Sequence, residues 1–65
     1  MKSYSSKEIL RILYKDGWFI VDQRGSHIQL EHPIKSGKVT VPHPRKSYKQ
    51  KTLNTILKQA GIEII

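Results

Sequence analysis

The sequence predicts an α+β fold: a helix, a three-stranded antiparallel sheet and a second helix, in that order, with the two helices on one face of the sheet. Three observations carry the prediction. Apolar residues recur at helical spacing near each end of the chain, three short stretches between them are β-rich or alternate in polarity, and the connections between those stretches are too short for parallel pairing.

The first helix is read over residues 6 to 16. Ser5 and Glu8 have the S-x-x-E spacing of a capping box, Ile9, Leu10, Ile12 and Leu13 recur on one face, and Gly17 supplies the stop. The run "WFIVDQ" that follows is rich in aromatic and β-branched residues, "SHIQLEH" alternates, and "KVTV" alternates again before Pro42. These are the three strands. Arg24-Gly25 is read as the first turn and "PIKSG" as the second, both short enough to demand hairpins. The stretch "PHPRKSYK", residues 42 to 49, carries two prolines and three charges beside His43 and reads as an ordered loop. Beyond it Leu53, Ile56, Leu57 and Ala60 form an apolar stripe ended by Gly61, and "IEII" is a short apolar tail.

At 65 residues the chain has room for one domain, residues 1–65. A domain of this size buries roughly 60% of its unfolded surface, so the core is thin. Twelve Lys and Arg against five Asp and Glu give a formal net charge of +7. That surplus favours a polyanionic partner, and nucleic acid suits it better than a membrane, because no apolar run approaches the roughly 20 residues of a bilayer span. The opening "MKSYSSKE" lacks the apolar stretch of a signal peptide, so a cytoplasmic protein is expected. With no cysteine, disulfides and thiolate chemistry are excluded, and three scattered histidines make a poor metal cage. Neither a metal nor a cofactor is expected.

Pleat alternation then assigns directions. Ile28 and Leu30 should face the helices, which turns His27, Gln29 and Glu31 to the uncovered face. With Arg24-Gly25 as a two-residue turn, Asp22 pairs with His27, Phe19 and Val21 point into the core, and Trp18 and Ile20 share the open face with the imidazole. The second hairpin brings Pro42 or Pro44 opposite His27, with Lys38 and Thr40 on its face. A carboxylate beside an imidazole fixes its tautomer and raises its basicity, which suits acid-base work near neutrality. The plain reading of such a histidine is a solvated surface group, and of the lysines at 46, 49, 51 and 58 a solvated loop and helix. His43 lies between two prolines, where a rigid turn is the ordinary reading, and His32 should point away from His27.

Four segments together, "ILRILYKDGWF" at 9 to 19, "RGSHIQLEHP" at 24 to 33, "VTVPHP" at 39 to 44 and "TLNTILKQAGI" at 52 to 62, resemble the HicA family of bacterial mRNA interferase toxins in order and spacing. The resemblance implies a fold similar to the double-stranded RNA-binding domain, cleavage of mRNA without translating ribosomes, growth arrest, and neutralisation by a HicB-family antitoxin. It also implies a catalytic role for the histidine of the Gly-Ser-His segment, here Gly25, Ser26 and His27. One departure is Lys51, where many relatives carry glycine.

The expected site is therefore His27 as general acid or base, supported by Gly25, Ser26 and Asp22, with Arg24, Lys38, Arg45 and Lys46 binding RNA. His43 is a weaker candidate for a second proton carrier. Two other readings use the same residues differently: a non-catalytic RNA-binding module of double-stranded RNA-binding type, and a protein-binding module contacting its partner through Trp18 and the "IEII" tail.

Overall fold

The computed structural model describes residues 3–63. The element order is α1 (Ser6–Asp16), β1 (Phe19–Arg24), β2 (His27–Glu31), β3 (Val39–Pro42) and α2 (Gln50–Ala60), with the sheet ordered β1-β2-β3 and antiparallel throughout. The first helix has the predicted bounds, and both halves of its capping box form: Glu8 N–H donates to Ser5 Oγ at 3.2 Å, and Ser5 N–H donates to Glu8 Oε1 at 2.9 Å. Of the apolar tail, Ile64 and Ile65 lie outside the described residues. No helix is long and apolar enough to cross a membrane among the described residues.

One face of the sheet meets the helices. Ile28 and Leu30 of β2, with Val39 and Val41 opposite them on β3, pack with Ile9, Leu10 and Leu13 of α1 and Leu53, Ile56 and Ala60 of α2 in one buried cluster. Both helices sit chiefly over β3. The far strand β1 therefore extends beyond their cover, and its Phe19, Ile20 and Val21 stay 42–47% exposed.

Two expectations about β1 need correction. The turn residues are Gly25 and Ser26, not Arg24 and Gly25, because Arg24 pairs with His27. The backbone explains the shift: Gly25 takes φ +57, and no residue other than glycine takes a positive φ in the described chain. Asp22 consequently pairs with Gln29, not with His27. A bulge between Ile20 and Asp22 then changes the alternation, so Ile20 and Gln23 stand opposite Leu30 and Ile28, on the core-facing side, while Phe19 stands opposite Glu31.

Trp18 is the second correction. It is only 2% exposed and belongs to the core, so it offers no contact to a partner. The helix end places it there: Gly17 closes α1 at φ +106, and Trp18 N–H donates to Leu13 O at 3.0 Å, which carries the indole back under the helix before the strand begins. The indole meets His32 edge-on, with ring centroids 5.2 Å apart.

His32 and Lys35 lock the second hairpin connection against both helix ends. His32 Nδ1 accepts the N–H groups of Ile34 and Lys35, each at 3.0 Å, so the ring proton must sit on Nε2, which donates to Asp16 O at 2.6 Å. Gly17 is required here for space as well as conformation, since a Cβ on it would lie 2.7 Å from His32 Nε2. Lys35 Nζ donates to Asp16 Oδ2 at 2.6 Å and to Ala60 O at 3.0 Å, placing one cation at the C-termini of both helices. The hydrogen bond from Lys35 holds the Asp16 carboxyl below its ordinary range. His32 thus has a structural task and points away from His27, as alternation predicts.

The loop after β3 is also fastened. Ser6 N–H donates to Arg45 O at 2.9 Å, Arg45 N–H donates to Ser6 Oγ at 3.0 Å, and the Ser6 hydroxyl lies 2.7 Å from His43 Nδ1. Tyr48 is buried and donates its hydroxyl to Pro42 O, and burial pushes its phenol above the ordinary tyrosine range. The His43-Pro44 peptide bond is cis.

Candidate functional site

The exposed imidazole of His27 stands at the first position of β2, immediately after the Gly25-Ser26 turn, and faces away from Ile28 and the core. Its neighbours across the sheet are Arg24 on β1 and Pro42 on β3. The second hairpin thus ends beside it as the alternation predicts, with Pro42 the proline opposite. Ser26 O accepts the N–H of His43 at 2.7 Å, which extends the pairing one step past β3 and steadies the turn.

The face carrying His27 has a wall that the sequence does not announce. Helix α2 runs along the outer side of β3, and its Gln59 Oε1 accepts the edge N–H of Thr40 at 3.5 Å, a long hydrogen bond. Between this helix and the open sheet face lies a groove of about 390 Å³, lined by His27, Thr40 and Pro42 from the sheet and by Lys51, Thr52, Thr55, Ile56 and Gln59 from α2. None of these residues is acidic. The groove presents one imidazole, one ammonium, hydroxyls and an amide, a set of groups that suits a phosphate-bearing substrate.

A second pocket, of about 430 Å³, lies on the other side of the β3 end, where Ser5, Ser6 and Lys7 of the α1 start meet His43, Pro44, Arg45 and Lys46. Arg45 and Lys46, expected beside His27, open here together with Lys7. His43 also belongs to this pocket, with its Nδ1 engaged by Ser6, and it does not line the His27 groove.

The remaining site candidates divide by their partners. Asp22 is not the neighbour of His27: its carboxylate accepts the Arg24 Nε–H at 3.0 Å and the Gln23 N–H at 2.8 Å, and these bonds keep it below the ordinary carboxylate range. Arg24 thus replaces Asp22 at the histidine's side, with a guanidinium that is 82% exposed. Lys38 lies 3.7 Å from Glu31 and is partly neutralised by it. Lys51 has no acidic group within salt-bridge distance among the described residues. Those residues also contain no group of three His, Cys, Asp or Glu that could hold a metal ion.

Lys51, Thr52, Thr55 and Gln59 are the groove residues that sequence reasoning missed. Lys51, Thr55 and Gln59 do recur at i, i+4 and i+8, one polar stripe beside the apolar one. The period reveals the stripe, but only packing shows what it faces.

The family model for the HicA toxin of bacterial toxin-antitoxin systems matches residues 6–62. The chain belongs to the HicA toxin family. This HicA-family chain also superposes, with a TM-score of 0.82, on a chain in a solved structure of a HicA3 and HicB3 toxin-antitoxin complex. The two are 30% identical, and the match covers 95% of this chain and 100% of that one. No curated protein sequence matches it. The helix, three antiparallel strands and helix described above are thus the HicA fold, and the Gly25-Ser26-His27 turn and its groove lie within the matched residues.

Proposed function

We propose that this toxin is an endoribonuclease, an mRNA interferase acting in the cytoplasm, in which His27 carries out acid-base chemistry on a ribose-phosphate linkage. The observation that carries the reading is an exposed imidazole in an acid-free groove, on a chain of net charge +7. RNA supplies its own nucleophile. His27 takes the proton of a 2'-hydroxyl, whose oxygen attacks the adjacent phosphorus; the 2'-oxygen–phosphorus bond forms and the phosphorus–5'-oxygen bond breaks. The products are a 2',3'-cyclic phosphate and a 5'-hydroxyl, the latter taking up a proton. In the alternative assignment the imidazole acts as the acid, protonating the leaving 5'-oxygen while another base takes the 2'-proton. This route requires no metal, because nucleophile and phosphate belong to one substrate. Arg24 stands across from His27, Lys38 offers a cation beside Glu31 at the other end of β3, and Arg45, Lys46 and Lys7 offer phosphate contacts at the neighbouring pocket for a strand running past the end of β3.

Incubating the purified protein with single-stranded RNA in EDTA tests this. Cleavage leaving cyclic phosphate ends is the expected outcome, and binding should weaken with salt at a log-log slope of roughly −0.7 per neutralised phosphate. Affinity without cleavage would favour the non-catalytic RNA-binding module, and neither affinity nor cleavage would favour a purely protein-binding role. A flat salt response would discredit the electrostatic account.

A HicB-type antitoxin is the proposed partner, supported by the family and by the complex in which the similar chain is found. A net positive toxin calls for an acidic surface, and one that covers His27 and the basic loop blocks substrate and reactive group together. In the complex, His27 should be protected from imidazole-modifying reagents that reach it in free toxin. Equal modification in both states would argue for inhibition elsewhere.

A further inference from the structure

We infer that Lys51 supplies the cation that meets the scissile phosphate in the His27 groove. The inference rests on the ribonuclease reading above and names a group that the reading leaves open, the one stabilising charge at phosphorus. Of the cations near the site, Arg24 is tied to Asp22 and Lys38 to Glu31, while Arg45 and Lys46 open on the adjacent pocket. Lys51 lines the groove itself, from the helix wall facing the sheet residues His27, Thr40 and Pro42, and no carboxylate neutralises it among the described residues. A phosphate seated there has the imidazole on its sheet side and the ammonium on its helix side.

The position matters because charge grows during the reaction. A phosphodiester carries one negative charge, and the five-coordinate species formed by 2'-oxygen attack approaches two. A cation at that point binds the transition state more tightly than the ground state, so it raises the rate of the chemical step as well as affinity. Lysine in the first turn of an eleven-residue helix is held by a regular element rather than by a loop, which limits the reorganisation needed as the charge develops. Lys58 is the natural comparison: it lies on the same helix and carries the same charge, but it does not line the groove.

Single-turnover cleavage of a short RNA at saturating toxin, measured alongside RNA affinity, tests the assignment for wild type, Lys51→Met, Lys51→Arg and Lys58→Met. Lys51→Met should cut about a hundredfold or more slowly, with affinity weakened less than tenfold, and Lys51→Arg should recover most of the rate. Lys58→Met should match wild type in rate. Equal slowing of Lys51→Met and Lys58→Met would reduce the effect to general electrostatics and overturn the assignment. So would a Lys51→Met protein whose saturated rate is unchanged. Absence of wild-type cleavage would remove the ribonuclease reading and this inference together, whereas a cleaving wild type with an indifferent Lys51 removes only the latter.

Discussion

Replacing His27 with alanine should lower RNA cleavage by at least about a hundredfold, since a positioned acid or base contributes on the order of 10²–10⁴ in rate. Fold and RNA affinity should survive. The side chain is exposed and its imidazole makes no hydrogen bond to another described residue, so alanine removes no packing and leaves no buried group unpaired. Affinity should survive because, on the proposed reading, phosphate is held by Lys51 in the groove and by Lys7, Arg45 and Lys46 in the adjacent pocket. Three measurements on one protein sample decide the matter: cleavage rate, salt dependence of binding, and the melting curve by circular dichroism. A His27→Ala protein that melts normally and still cuts RNA at the wild-type rate would refute the assignment.

Replacing Leu30 with alanine should unfold the protein or nearly so. Leu30 is 0% exposed at the centre of the sheet, between Ile20 on β1 and Val39 on β3, and packs in the same cluster as both helices. Truncating a buried leucine costs about 2–5 kcal/mol in transfer free energy and residual cavity. At 0.05–0.15 kcal/mol per residue, a chain of this length has a total stability of only about 3–10 kcal/mol. The melting temperature should fall by roughly 4–8 °C for each kcal/mol lost. Ile34→Ala is the matched control, because that side chain is 88% exposed and should change the midpoint little. A Leu30→Ala protein as stable as the Ile34→Ala one would mean that the central strand does not hold the core together. Both His27→Ala and Leu30→Ala are expected to lose activity, but only the second should lose its far-ultraviolet signal on mild heating.

Much of this molecule is legible in its chain because several elements are governed by local rules. The S-x-x-E box and Gly17 set both ends of α1 through hydrogen bonds that span three to five residues, so no tertiary information is needed to find them. The outward direction of His27 follows from the two-residue period of β2 and the apolar identity of Ile28 and Leu30, and it holds whatever the neighbouring strand does. For the same reason His32, five residues on, points to the other side.

The neighbours of His27 obey different rules. A one-residue change in the turn, from Arg24-Gly25 to Gly25-Ser26, moves Asp22 away from the imidazole and brings Arg24 beside it. The bulge at β1 then reassigns the faces of Phe19 and Ile20. Both turns satisfy the local pattern, and the choice between them rests on Gly25 taking the positive φ and on how β1 lies against β2. Trp18 shows the same limit. Its aromatic, β-prone surroundings suggest a strand, whereas the helix-end hydrogen bond to Leu13 and the contact with His32 pull it into the core.

What the sequence alone determines, then, is the order of elements, the apolar stripe of each helix and the side of the sheet on which the imidazole stands, because each depends on periodicity and capping within a few residues. Tertiary structure alone decides the site's company: Arg24 in place of Asp22, Arg45 and Lys46 displaced to a second pocket, and α2 laid along β3 so that Lys51, Thr55 and Gln59 become a wall of the groove. The physical reason is that none of these contacts follows from a local period: Arg24 comes beside His27 through the choice of hairpin turn, Thr40 meets Gln59 across 19 residues, and Ser6 meets Arg45 across 39. Which polar stripe meets which sheet edge is settled by burying the apolar stripes together, and the polar side chains follow wherever that packing carries them.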